Sequence, residues 1–209
     1  MKKNERVIGT EADFSTRCGN NCGQGYSDAA MDQVCLLFNN NRSFTCRRCG
    51  HVHRQIADFT IWVRHDAAKF LNPNNIFNRS WFHATDDPDW FNHVTRPTPR
   101  TQQPMVHVGV EGAAVARAGQ RYDEHLTYGY QIKQWYLYEV MIKPGTDVLP
   151  YVQHDMNVFP LTRGAARKHR MEWSADGATR YVNAYEQPGS ISLMVNSSRL
   201  KFVNRTDLN

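Results

Sequence analysis

The sequence predicts an α+β fold, with packed, mainly antiparallel sheets and few helices. Three observations carry that expectation. Short runs rich in aromatic and β-branched residues recur, each closed by Pro, Gly or Asn. One stretch, Glu111-Gly-Ala-Ala-Val-Ala-Arg-Ala, is alanine-rich with an acid in its first turn, as a helix wants. Hydrophobic residues make up 41% and charged residues 22%, which excludes a disordered chain.

The elements follow in order. Residues 1–55 form a Cys-, Gly-, Asn- and Arg-rich module with short apolar runs, and residues 56–209 form the main domain. Val34-Cys35-Leu-Leu-Phe reads as strand-like. From Ile56 to Phe70 runs a mixed apolar element with Phe59, Ile61, Trp62 and Val63, broken by Asn72-Pro-Asn-Asn. Ile76 to His83 is aromatic and β-like, and Asp86 to Pro104 is a proline-rich loop. Met105 to Val110 reads as a buried strand leading into the helix. Trp135-Tyr-Leu-Tyr-Glu-Val-Met-Ile is the clearest strand and ends in Lys-Pro-Gly. Leu149 to Phe159 holds shorter β pieces, and Thr162 to Trp173 is a basic patch with helical character. Arg180 to Glu186 and Ser190 to Val195 read as two strands joined by Gln-Pro-Gly, with Lys201-Phe-Val as a last one.

The formal charge of +5 and pI near 9.0 make a polyanionic partner plausible without establishing one. No run approaches the roughly eighteen apolar residues that cross a bilayer. The opening Met-Lys-Lys-Asn-Glu-Arg-Val has no apolar stretch behind its charges. A cytoplasmic chain with neither leader nor anchor, and no membrane partner, is therefore expected.

All five cysteines lie between positions 18 and 49. An odd count outside a secretory context argues against a disulfide framework and for a metal. Cys46-Arg-Arg-Cys49-Gly50 has zinc-knuckle spacing, and Cys18-Gly-Asn-Asn-Cys22-Gly23 is a version one residue looser. A glycine after the second cysteine lets the backbone turn so that its amides face the sulfurs. Cys18, Cys22, Cys46 and Cys49 are thus the candidate ligands of a structural zinc, with His51 or His53 able to replace one of them. Cys35 is expected to be a buried thiol. Free buried thiols are the plain alternative.

Three further segments carry candidate chemistry: Trp81-Phe-His83-Ala-Thr85, Val106-His107-Val-Gly-Val, and Tyr181-Val-Asn183-Ala-Tyr-Glu186-Gln-Pro-Gly-Ser190-Ile-Ser. Each histidine alone reads as a satisfied core residue, and Glu186 alone as a strand-end glutamate. Their order and spacing resemble the ADP-ribosyltransferase superfamily over roughly Ser80 to Val195. The resemblance implies split antiparallel sheets around an NAD cleft; the cysteine module, whose spacing suits a zinc-ribbon-like hairpin, lies outside it. His83 would hold the adenine-side ribose with Thr85 in support, and Ser190 would join the contacts to NAD. His107 would take the place where many relatives have a tyrosine against nicotinamide, a departure closer to the RNA 2′-phosphotransferase branch. Tyr122, Tyr128 or Tyr130 could instead supply the stacking ring. Glu186 would bind the nicotinamide ribose and stabilise the positive charge that develops on glycosidic cleavage.

The resemblance also bears on the acceptor. Arginine-modifying relatives carry Gln or Glu two residues before the catalytic Glu, where this chain has Ala184, so a protein arginine is disfavoured. Arg163, Arg167, Lys168 and Arg170 form a dense basic patch, and Asn183 stands ready to orient acceptor or ribose. Arg47, Arg48 and Arg54 form a second basic group. Together they suit a nucleic-acid acceptor, RNA or DNA, and a toxin or defence effector with an antitoxin partner. A zinc-ribbon nucleic-acid-binding protein without catalysis, a 2′-phosphotransferase and a protein-targeting transferase stand as alternatives.

Overall fold

The computed structural model describes residues 16–20, 22–55, 58–60, 63–96, 105–154 and 177–208. It is mixed α+β, with several sheets that are antiparallel apart from one strand pair.

The module opens with β1 (Thr16–Cys18) and β2 (Gly25–Tyr26), followed by α1 (Asp28–Asn39). A helix stands where the apolar run around Cys35 suggested a strand. Ser27 caps it by accepting from the Ala30 amide at 3.3 Å. Met31 and Val34 are buried and Phe38 packs against the same core, a three-and-four spacing, while Leu36 stays exposed. The period, not the continuous run, decides the element. Asn41 ends the turn with φ 55°. A short hairpin follows, β3 (Phe44–Thr45) with β4 (Val52–His53). Then β5 (Phe59–Thr60) pairs with β1, so the module's sheet takes in residues beyond position 55. One continuous core joins Met31, Val34 and Phe59 to Val140, Leu193 and Leu200.

Two 3₁₀ segments, His65–Leu71 and Pro73–Ile76, occupy the region read as a mixed apolar element and its break. Next come β6 (Trp81–Thr85), α2 (Trp90–Thr95) and β7 (Met105–Val108). The helix α2 lies inside the stretch expected to be loop; Pro97, Pro99 and Pro104 are outside the described residues. The alanine-rich segment runs longer than its composition suggested, as α3 (Glu111–Tyr128). Gly129, at φ 67°, closes it in the left-handed cap. The strands β8 (Trp135–Ile142), β9 (Val148–His154), β10 (Ala178–Val182), β11 (Ile191–Asn196) and β12 (Leu200–Leu208) complete the chain.

One sheet has the order β7-β11-β10-β9, with β9 parallel to β10; the other is β12-β8-β6. Every residue of β10 and β11 is buried, as central strands covered on both faces require. The edges of the two sheets meet at one bridge, where Phe82 and Gly109 exchange backbone hydrogen bonds of 2.8 and 2.9 Å. Glycine fits there without displacement, whereas a Cβ would press to 3.0 Å from the Ser192 hydroxyl. Helix α3 starts two residues later and lies along β6. The cleft opens between them.

Two buried side chains that donate to backbone carbonyls hold this frame. Arg180 on β10 has no solvent exposure, and its guanidinium donates to the carbonyls of Phe70, Leu71 and Leu149. It ties the 3₁₀ segment to β9, and burial lowers its pKa to about 10. Trp81 is fully buried and donates its indole N–H to Ile76 at 2.9 Å.

Candidate functional site

The cleft brings together residues from all three segments singled out in the sequence. His83 and Thr85 come from β6, His107 from β7, Glu186 and Asn183 from the β10–β11 loop. Its enclosed volume is about 190 Å³. That is below the roughly 300–1,000 Å³ of sites that swallow a drug-sized ligand whole. A dinucleotide could bury only part of itself here.

His83 is fixed on both sides. Its ring stacks on Trp90 at 4.2 Å and 12°, and its Nδ1 lies 2.7 Å from the His107 carbonyl. A carbonyl only accepts, so Nδ1 carries the proton and the neutral ring offers Nε2 as an acceptor. Burial drives its pKa down to about 4, against a smaller upward pull from that carbonyl. His107 is lowered further, to about 3, by burial and by the charges of His83 and Arg117. Both rings are therefore neutral near pH 7. The His107 ring also lies 5.2 Å from that of Tyr181.

The loop carrying Glu186 is built around Asn183. The Asn183 side-chain carbonyl accepts from the backbone amides of Tyr185, Glu186 and Gln187 at 3.0, 3.0 and 3.1 Å. Its amide donates to the Glu186 carboxylate at 2.8 Å and, more weakly, to Ser192 at 3.4 Å. At 1% exposure, Asn183 has both polar ends engaged within the loop. It aims Glu186. Glu186 itself sits in this loop rather than on a strand, because β10 ends at Val182. Gly189 holds φ 84° at the far side, and its amide closes on the Asn183 carbonyl at 2.8 Å.

Other expectations need correction. Tyr122, Tyr128 and Tyr130 are 42%, 70% and 63% exposed, and none of them lines the cleft. The rings that do line it are Phe82 and Trp135. Ser190 is buried with its hydroxyl enclosed, and Ser192 takes the lining position two residues on. The patch of Arg163, Arg167, Lys168 and Arg170 lies outside the described residues.

Two cations escaped the sequence reading. Arg117 and Arg121 line the cleft from α3, one and two turns beyond Ala113. The i, i+4 spacing of 113, 117 and 121 was the available signal. Arg121 also pairs with Glu124 at 2.6 Å.

The four cysteines form a second centre. The Sγ atoms of Cys18, Cys22, Cys46 and Cys49 all lie within 4.8 Å of one another. A tetrahedral zinc with 2.3 Å bonds holds its sulfurs about 3.8 Å apart. The Cys18–Cys49 and Cys22–Cys46 separations are both 3.8 Å. The set could hold a metal ion such as zinc. Gly23 and Gly50, at φ 76° and 70°, make the turns expected after each pair. The Tyr26 hydroxyl is the main cause that lowers the Cys46 thiol to about 6, and burial raises Cys18 to about 12. His53 is not needed as a ligand; it stacks on Phe59 at 4.0 Å and places Nε2 3.3 Å from Cys18 Sγ, behind the cluster. Cys35 stays outside it, half-buried on α1, with its thiol raised to about 11 by burial.

No family model, curated protein or solved structure matches the chain. Among the described residues no helix is long and apolar enough to cross a membrane.

Proposed function

We propose that this chain is an NAD-consuming ADP-ribosyltransferase with a nucleic-acid acceptor, its reaction centred on Glu186 and its module held by a structural zinc. The observation that carries the reading is the Glu186 carboxylate, bonded by a buried asparagine, in one cleft with two histidines and two arginines.

Each group has a matching task on NAD. Breaking the glycosidic bond leaves positive charge on the nicotinamide ribose, and a fixed carboxylate stabilises that charge more in the transition state than before it. Nicotinamide leaves with the bonding pair, which cancels its own ring charge, so no strong acid is required. An acceptor atom then bonds to the ribose carbon and gives up its proton. Neutral His83, with Nε2 as acceptor, suits a ribose hydroxyl. Arg117 and Arg121 suit the pyrophosphate along the open side. Trp135 and Phe82 offer faces for the rings. Four sulfur ligands leave a zinc no open position, which is why its role is structural.

The test is nicotinamide release from NAD by the intact chain and by Glu186→Gln, which keeps shape and removes charge. A loss of about a hundredfold or more is expected. Equal rates would remove Glu186 from the chemistry. No release by either form would favour a zinc-bound nucleic-acid-binding module without catalysis.

A further inference from the structure

A second concavity lies within the cysteine module, against α1. It encloses about 490 Å³, more than the cleft itself. Its floor is the rings of Tyr26 and Phe44, which meet edge to face at 5.4 Å, with Val34 and Leu37 from α1. Gln33 and Arg47 stand on its rim, both exposed. This is a shape and lining for a flat ring: aromatic and aliphatic walls, one amide able to donate and accept, one guanidinium. The proposed zinc centre adjoins it, because the lining residue Arg47 stands between Cys46 and Cys49 in the chain.

Charge indicates what surrounds such a ring. The module's residues 16–55 carry five arginines, at 17, 42, 47, 48 and 54, against two acids, Asp28 and Asp32. Asp32 is already paired with Arg64 at 2.9 Å. Among the described residues neither Arg47 nor Arg48 meets a carboxylate. Arg47 is on the rim, and Arg48 extends its guanidinium to within 3.6 Å of where a Cβ on Gly23 would be. An apolar slot with cations at its mouth fits a base flanked by phosphates. An apolar peptide would need no cations, and an acidic peptide would need no aromatic floor.

We infer that this groove binds an unpaired nucleobase of a single-stranded nucleic acid, with Arg47 and Arg48 on the adjoining phosphates. The inference rests on the nucleic-acid reading of the acceptor: the module would hold the strand that the cleft modifies. The ring stacks over Phe44 and Tyr26, Gln33 reads its edge, and the arginines add a salt-dependent, sequence-independent share.

The test uses the full zinc-loaded chain and a fluorescein-labelled oligouridylate of twelve nucleotides. Anisotropy compares it with an abasic strand of equal length, which keeps the phosphates and removes the bases. The groove predicts about tenfold weaker binding of the abasic strand. It predicts a similar loss for Gln33→Glu and for Arg47→Glu, both exposed positions that leave the core intact, with zinc content checked on each. It also predicts ultraviolet cross-links from 5-bromouridine strands to Tyr26 or Phe44. Equal affinity for the two strands, or cross-links confined to the cleft, would overturn it. So would polyglutamate displacing the oligomer as well as unlabelled RNA does, since that marks an acidic-protein surface. Nicotinamide release by the wild-type chain without acceptor is measured on the same samples. Its absence would sink the transferase reading and leave base binding by the module standing.

Discussion

Replacing Asn183 separates holding the loop from aiming the carboxylate. In Asn183→Ala, three backbone amides lose their acceptor and the Glu186 carboxylate loses a donor. At about 1 kcal/mol for each neutral bond, with water replacing part of the loss in this half-buried loop, the cost is about 3 kcal/mol. For a chain of this size that lowers Tm by about 6–12 °C. Asn183→Asp differs in kind. It keeps the acceptor for all three amides and removes the donor, setting a second carboxylate against Glu186 where the amide stood at 2.8 Å. Two unit charges that close repel by about 6 kcal/mol at an effective dielectric of 20, so the side chains must turn apart or take up a proton. The loop is held and the aim is lost. The expected outcome is a melting temperature closer to wild type than the alanine variant's, with nicotinamide release reduced as severely. Differential scanning fluorimetry and a nicotinamide assay on the two variants give both readouts. Wild-type release by Asn183→Asp would refute the assignment of Asn183 as the residue that positions Glu186.

Further outcomes follow from the same geometry. One zinc per chain is expected by elemental analysis, and Cys46→Ser should lose it together with the module's resistance to proteolysis, since structural zinc supplies folding energy outright. Arg180→Met should destabilise by about 2–4 kcal/mol in urea titration, because three carbonyls lose their donor while a buried charge is removed. The histidines predict an acid-side slope. With folded pKa values near 4 and 3 against about 6.5 unfolded, His83 and His107 take up protons more readily in the unfolded chain. Stability should therefore fall as pH drops from about 6.5 toward 4, and His83→Gln with His107→Gln should flatten that slope in denaturant titrations at a series of pH values.

How much of this was legible in the sequence varies with the kind of signal. The strands beginning at Trp81, Met105, Trp135 and Ile191 announce themselves through aromatic and β-branched runs, and β8 was the plainest. The cysteine pairs were readable because metal geometry fixes short spacings, and the glycine after each pair carries the positive φ that the turn demands. Helix α1 was missed because Val34 to Phe38 is continuously apolar, and only the more distant Met31 reveals the helical period. The cleft's cations were missed for a related reason. Arg117 and Arg121 look like ordinary solvated charges until the helix is placed over β6. The work of Asn183 depends on a loop conformation that no local pattern states. Tyr122 on α3 and Tyr130 just beyond its cap are exposed and outside the cleft lining, a placement that aromatic character alone does not state.

The central claim is the transfer reaction. Its most direct test is incubation of the intact chain with NAD labelled in the adenylate moiety, together with RNA, DNA or protein, beside Glu186→Gln. The account predicts label on nucleic acid with the wild-type chain and none with the variant. Label carried only by protein, or label on nucleic acid undiminished by Glu186→Gln, would contradict it.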